Sequence, residues 1–336
     1  MMTTHKKDPA VVVIGGGTGS FMLLGGLKEY TANLTAIVNM SDDGSSTGKL
    51  RDELGVLPPG DTRRCLVALS RSPKVRDLFD YRFEEGALKG HAFGNLFLAA
   101  LEKLTGSFAE AVETAGEVLD IQGHVVPATL DNVRLRLSWA DRQVVLHGEG
   151  VIDAERFRYD PRNARLSLEP AAKANPEALA AIAQADLIVL APGDLYTSLG
   201  PALIAKGFSE ALENTNAHIA YVCNLVTKHG QTDGFDVAAH VAEIERFVGA
   251  PIVDTALYDT GEPRTELLKK YAREGEFWVA PGRRETLDGK HYRAIGGDFL
   301  AAAASAPAKS DPLALRRTFI RHNADKVARA LLSLLA

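Results

Sequence analysis

The sequence predicts a doubly wound α/β fold on a mostly parallel sheet, and three observations carry that prediction. Unbroken apolar runs recur along the 336 residues, at VVVIG (11–15), LTAIVN (34–39), ADLIVLAPG (185–193) and IAYVCN (219–224). Such runs suit strands covered on both faces, as in parallel sheets, better than the alternation of a half-exposed sheet. Segments with helical spacing separate the runs. Each run also ends in a polar or glycine-rich loop, where ligands collect in open parallel sheets.

In chain order, VVVIG enters Gly16-Gly17-Thr18-Gly19. A helical pattern through Phe21, Leu23, Leu24 and Leu27 follows, and LTAIVN is the next strand. This is one βαβ unit, with a right-handed crossover expected. A polar stretch, NMSDDGSSTG, comes next. Helical patterns then dominate from Gly48 to Asp120, interrupted at Pro58–Asp61 and near Pro73. The period changes after Val125. RLRLSW and RQVVLH alternate about Ala140-Asp141 as a hairpin would, so residues 121–170 read as a β-rich insertion in one domain of residues 1–336. The α/β rhythm resumes with helices over Pro176–Ala185, Leu203–Leu212 and Val237–Val248 and a strand at PIVDTALY. Residues 301–312 are low in complexity and read as a loop, and 318–335 as an amphipathic helix.

Composition narrows the function. Hydrophobic residues make up 46% and charged residues 24%, which places the chain among ordinary globular proteins. The net charge of -5 argues against a nucleic-acid partner. Cys65 and Cys223 are the only cysteines and form no CxxC pair, so neither a thiolate metal site nor a disulfide framework is expected, and a cytoplasmic setting is. The polar start MMTTHKKDPA predicts no signal peptide, and no apolar stretch predicts a membrane span.

The strand-end loops hold the candidate chemistry. Gly15, Gly16, Gly17 and Gly19 remove side chains from a turn opening a helix, where backbone N–H groups and the helix dipole favour an anion. Thr18 and Ser20 add hydroxyls. Ser20 stands where a dinucleotide fingerprint has its third glycine, and no lysine follows as in a P-loop. Asp42 and Asp43 are placed to hold Mg²⁺, to bind a ribose or to act as an acid/base pair, or equally to form an Asx turn before Gly44. Arg63 or Arg64 can reach a phosphate in bidentate fashion, or equally form an ordinary solvated pair. His91 opens an apolar helix, with a structural or a functional role open. Gly193, Asp194, Tyr196, Thr197 and Ser198 repeat the strand–loop–helix arrangement of the first loop, and Asn224 ends the next strand.

Read together, VVIGGGTGS, AIVNMSDDGSSTGKLRDELGVLPPGDTRRCLVAL, GHAFGNLFLAAL, ADLIVLAPGDLYTS, CNLVTKHGQTDG and RHNADKVARALL resemble the YvcK family, the gluconeogenesis factors, within the wider CofD-like group. The resemblance spans nearly the whole chain in consistent order. It implies a bacterial, cytoplasmic protein with a Rossmann-like core that binds UDP-N-acetylglucosamine or a similar UDP-sugar. It further implies a regulatory role in cell shape and wall-precursor supply during gluconeogenic growth, with a homo-oligomer and regulatory protein partners as candidate assemblies. By the same resemblance the ligand pocket takes in Gly16, Gly17, Thr18, Gly19, Asn39, Asp42, Asp43, Asn95, the 193–198 loop and Asn224. Tyr271 and Arg321 match residues that hold the UDP-sugar. The alternative is a Mg²⁺-dependent transferase similar to 2-phospho-L-lactate transferase. The segment DDGSSTGKLRDELGVLPPGD departs from those enzymes, which ranks that alternative second. No cofactor is required in the first case, Mg²⁺ enters in the second, and NAD is a weaker ligand candidate.

Overall fold

The computed structural model describes residues 8–280, 282, 287–301 and 320–335. Their centre is a seven-stranded sheet in the order β10-β9-β8-β7-β1-β2-β3, with every neighbouring pair parallel. The strands are β1 (Val11–Gly15), β2 (Leu34–Val38), β3 (His124–Pro127), β7 (Leu187–Leu190), β8 (His218–Val222), β9 (Thr255–Asp259) and β10 (Arg293–Gly297). All five residues of β1 and all four of β7 are buried, as the apolar runs require. Alternate side chains feed two layers. Val12 and Ile14 pack with Ile37, Ile188 and Leu190 on one face, and Val11 and Val13 with Leu34, Ala36 and Val189 on the other.

The topology creates a crevice. From β1 the chain steps outward through β2 to β3, then returns to the other side of β1 for β7 and steps outward through β8, β9 and β10. The connections from β1 and β7 therefore diverge, and the carboxyl ends of these neighbours open a gap at the point where strand order reverses. After β1 comes α1 (Gly17–Leu27). Between β2 and β3 lies the helical excursion, α2 (Ser45–Leu54), α3 (Gly60–Leu69), α4 (Pro73–Asp80), α5 (Phe93–Thr105) and α6 (Phe108–Val118).

The β-rich segment divides in two. Its first strand, HVVP, joins the main sheet beside β2, with Val126 opposite Ile37. The remainder builds an antiparallel sheet in the order β5-β4-β6 from β4 (Arg134–Trp139), β5 (Val144–His147) and β6 (Arg165–Glu169), with α7 (Glu149–Ala154) between β5 and β6. The expected hairpin is β4–β5, with Leu137 opposite Leu146. Leu135, Leu137, Trp139 and Ile152 share a core with Ile14 and Leu190. Val125 and Val126 are consecutive and both buried, as in a parallel strand and unlike the alternation of β4.

The second half supplies α8 (Pro176–Gln184), α9 (Gly200–Leu203), α10 (Phe208–Glu213), α11 (Val237–Val248), α12 (Thr265–Glu274) and α13 (Ala324–Leu332). Two expected helices are shorter than their patterns. The one drawn over Leu203–Leu212 is split because Gly207 adopts φ +112°, outside helical space. The last begins only at Ala324, where the Asn323 side chain accepts from Lys326 N and caps the helix; 318 and 319 lie outside the described residues, as does the expected loop beyond Ala301. No described helix is long and apolar enough to cross a membrane.

Candidate functional site

The crevice between β1 and β7 is a cleft of about 760 Å³ whose floor is the glycine loop. Gly16 is extended (φ -153°, ψ 175°) and caps α1 with no side-chain hydrogen bond. Gly17 adopts φ +67°, where a side chain would be strained. A Cβ on Gly19 would stand 1.7 Å from the Pro192 carbonyl oxygen, so α1 packs against the loop after β7 only because that residue is glycine. The N-cap of this 11-residue helix, Gly16, has no side chain to offer the first-turn N–H groups, which stand at the positive end of the helix dipole. Arg64 lines the same cleft, its Nη1 3.9 Å from where a Gly17 Cβ would be.

The facing wall comes from the ends of β7 and β8. Asn224 stitches the two loops together: its Nδ2 donates to the Gly193 carbonyl at 2.8 Å, and its Oδ1 accepts from Gly193 N at 3.3 Å and from the Tyr221 hydroxyl at 3.1 Å. Beyond it, the Lys228 ammonium donates to Asp194 at 2.8 Å and also to Asp153, which α7 brings in. Lys270 and Tyr271 of α12 and the returning Arg321 and His322 complete the lining. Burial pushes the His322 imidazole down to about 4, against an opposing hydrogen bond with the Cys223 backbone, so it is neutral at pH 7.

Of the residues singled out in the sequence, Gly16, Gly17, Thr18, Gly19, Arg64, Gly193, Asp194, Ser198, Asn224, Tyr271 and Arg321 line this one cleft. The others sit behind it. Asn39 is buried and donates to the Thr197 carbonyl at 3.1 Å, while its Oδ1 accepts from Ser41. Tyr196 donates to Glu243 at 2.6 Å within the core, and Thr197 is buried. Asn95 accepts from Arg63 Nε at 2.9 Å, and Arg63 in turn pairs with Asp80. Ser20 is buried under the loop, its Oγ 2.9 Å from a Cβ placed on Gly15, and not turned to a ligand. His91 faces Ser46, Nδ1 to Oγ 3.1 Å.

Arg63 and Arg64 separate cleanly because successive helical residues point about 100° apart. Arg64 takes the cleft and Arg63 the core. Lys228, Asp153, Lys270 and Glu276 also line the cleft and were not picked out from sequence. For Lys228 the available signal was its position in the polar loop after a buried strand. Asp153 lies in the insertion and had none.

The adjacent aspartates turn to different partners. Asp43 turns to the insertion, accepting from Gly150 N at 2.7 Å and pairing with Arg134 at 3.4 Å. Asp42 accepts from Gly44 N at 2.9 Å in an Asx turn. Burial and then the charge of Asp61 push the Asp42 carboxyl up to about 6. Asp61 itself lies beneath the glycine loop, its Oδ2 2.2 Å from a Cβ placed on Gly16. Glu149, on α7, is pushed up to about 9 by burial and by the carboxylates of Asp42, Asp153, Asp61 and Asp43. Among the described residues no three His, Cys, Asp or Glu side chains gather as a metal site. A Mg²⁺ held by one or two carboxylates and phosphate oxygens requires fewer, and the carboxylates of Asp42 and Asp61, which feel each other's charge, are the candidates for it, with Asp61 beneath the glycine loop.

The family model described as 2-phospho-L-lactate transferase CofD matches residues 11–300. The gluconeogenesis factor of Listeria monocytogenes is 40% identical over 335 residues, covering 98% of this chain and 97% of its own. That of Bacillus subtilis is 37% identical over 332 residues, covering 98% and 99%. The crystal structure of protein BH3568 from Bacillus halodurans superposes with a TM-score of 0.87 at 37% identity, covering 97% of this chain and all of that one. The chain belongs to the gluconeogenesis factor (YvcK) family of CofD-like proteins.

Proposed function

We propose that this family member binds a nucleoside diphosphate sugar of the UDP-N-acetylglucosamine type in the cleft and acts in the cytoplasm as a ligand-responsive regulator. The process it serves is cell shape and wall-precursor supply during growth on gluconeogenic carbon. One observation carries the ligand assignment. A helix N-terminus whose cap residue is glycine, a loop with glycine at three of its four positions, Arg64 and Arg321 all line a single cleft at the sheet's reversal point. Together they meet the needs of a diphosphate: several N–H donors, a favourable dipole, and planar cations able to bind two oxygens at once. The volume, about 760 Å³, lies within the range of pockets that enclose a drug-sized ligand.

NAD is a poorer guest. Its fingerprint uses a third glycine for close helix–strand packing, and here Ser20 fills that place. Calorimetry with UDP-N-acetylglucosamine, GDP and NAD, each with and without Mg²⁺, tests the assignment. Saturable binding of the UDP-sugar in preference to the other two is expected. No heat from any UDP-sugar at millimolar concentration would refute it.

A second reading, a transferase of phosphorus-containing groups, draws support from the description of the matching family model and from the raised Asp42 carboxyl facing Asp61. Mg²⁺ there would neutralise charge on a diphosphate at the glycine loop. Consumption of an activated phospho-acid donor, dependent on Mg²⁺ and lost in Asp42→Asn, would establish this reading. Its absence at high protein concentration leaves the regulator.

A further inference from the structure

Lys228 stands out in the cleft wall because its charge is more than spent within the protein. Its side chain is 21% exposed, and its ammonium donates to Asp194, at 2.8 Å, and to Asp153. One ammonium between two carboxylates leaves a net charge of -1 on the trio. Glu276 adds another carboxylate to the same wall, raised by burial and then by the charge of Asp194. The four groups reach the cleft from four separate places: α7, the loop after β7, the loop after β8 and the turn after α12.

The loop carrying Lys228 is clamped. A Cβ on Gly275 would stand 2.6 Å from the His229 ring, and one on Gly230 would stand 2.7 Å from Arg156 Cα. Gln231 Nε2 donates to the Ile152 carbonyl at 2.8 Å, and Phe157 N donates to the Gly230 carbonyl at 3.0 Å. The loop is thus wedged between α12 and the insertion, which fixes Lys228 before any ligand arrives.

The cleft therefore presents two chemistries. The glycine loop, Arg64, Arg321 and Lys270 offer donors and positive charge, which a diphosphate satisfies. The Asp153–Lys228–Asp194 trio with Glu276 offers carboxylate acceptors, which hydroxyl groups satisfy and a second anion does not. We propose that this trio reads the glycosyl group and restricts it to neutral, hydroxyl-bearing sugars, excluding those with an anionic substituent such as a glycuronyl group. The proposal rests on the nucleotide-sugar reading above. It adds the class of sugar and the residues that choose it. Discrimination of this kind comes from like charge set against the wrong ligand, and not from tighter contact with the right one.

The test is a pair of ligands that differ at one carbon. UDP-glucose carries a hydroxymethyl group where UDP-glucuronate carries a carboxylate, and UDP alone serves as the control. Calorimetry at pH 7.5 and low salt is expected to give a dissociation constant at least about tenfold lower for UDP-glucose. Asp153→Asn should narrow that ratio to under about threefold. Glu276→Gln, checked for folding by its melting temperature, is the second variant and should narrow it as well. Equal affinity of the two sugars for the unaltered protein overturns the proposal, as does a ratio that neither variant changes. Binding of UDP with neither sugar bound also overturns it, while leaving the diphosphate assignment standing. If UDP fails to bind as well, the nucleotide-sugar reading itself falls.

Discussion

Glu149→Gln should make the protein more stable in mild alkali and flatten the pH dependence of its stability. Glu149 opens α7, and burial plus four neighbouring carboxylates push its carboxyl up to about 9. Its unfolded value is about 4.3. A raised carboxyl gives its full stabilisation at low pH and loses it as pH rises toward the folded value. Between about pH 4.5 and 9 the native state holds a proton that the unfolded chain has released. Stability then falls by at most about 1.4 kcal/mol per pH unit from this group. Over the span from the unfolded value to pH 8 the limit is about 5 kcal/mol, and relaxation of a site that water can partly enter brings the expected loss to about 2–4 kcal/mol. Glutamine mimics the protonated form and does not titrate. Urea unfolding at pH 5, 6, 7 and 8 should therefore show near-equal stability at pH 5 and a variant about 2–4 kcal/mol more stable at pH 8. Parallel pH profiles, or a variant that is weaker at pH 8, would refute the reasoning. Asp42, raised to about 6, adds a smaller decline between pH 4 and 6 that persists in the variant.

Three further outcomes follow from the cleft. Gly19→Ala sets a methyl group 1.7 Å from the Pro192 carbonyl and should lower stability by about 2 kcal/mol or more by forcing α1 off β7, read as a fall in melting temperature. Arg64→Ala and Arg321→Ala should each weaken binding of UDP-N-acetylglucosamine by about 1.5–3 kcal/mol if each guanidinium makes a charged hydrogen bond to the diphosphate, and an unchanged affinity in calorimetry removes that residue from the site. Asn224→Ala removes the bonds that fix the Gly193 loop, and a loss of affinity exceeding its loss of stability would show that loop order serves the ligand.

Much of the fold was legible because burial on both faces leaves a plain mark. VVVIG, LTAIVN and ADLIVLAPG became β1, β2 and β7, and the loops after β1 and β7 meet in the cleft. HVVP was absorbed into the insertion because four residues carry too little pattern to distinguish an edge strand of the main sheet. Residues of the site were legible where chemistry and backbone coincide, at Gly16, Gly17 and Gly19. They were less so where a polar side chain in a family motif serves its own protein: Asn39 holds Thr197, and Asn95 holds Arg63. Asp42 and Asp43 show the limit most clearly. Adjacency in sequence suggested a pair, yet Asp43 turns to Gly150 while Asp42 accepts from Gly44 and feels the charge of Asp61. Asp153 reaches the cleft only because the insertion folds back over β7, a long-range contact that no local spacing encodes.

The most direct test is a crystal structure of the chain with UDP-N-acetylglucosamine. The account predicts diphosphate oxygens within hydrogen-bond distance, about 2.7–3.2 Å, of backbone nitrogens in Gly17–Gly19, with the Arg64 guanidinium beside them. A UDP-sugar bound elsewhere, or one whose diphosphate stands clear of the glycine loop, would contradict it.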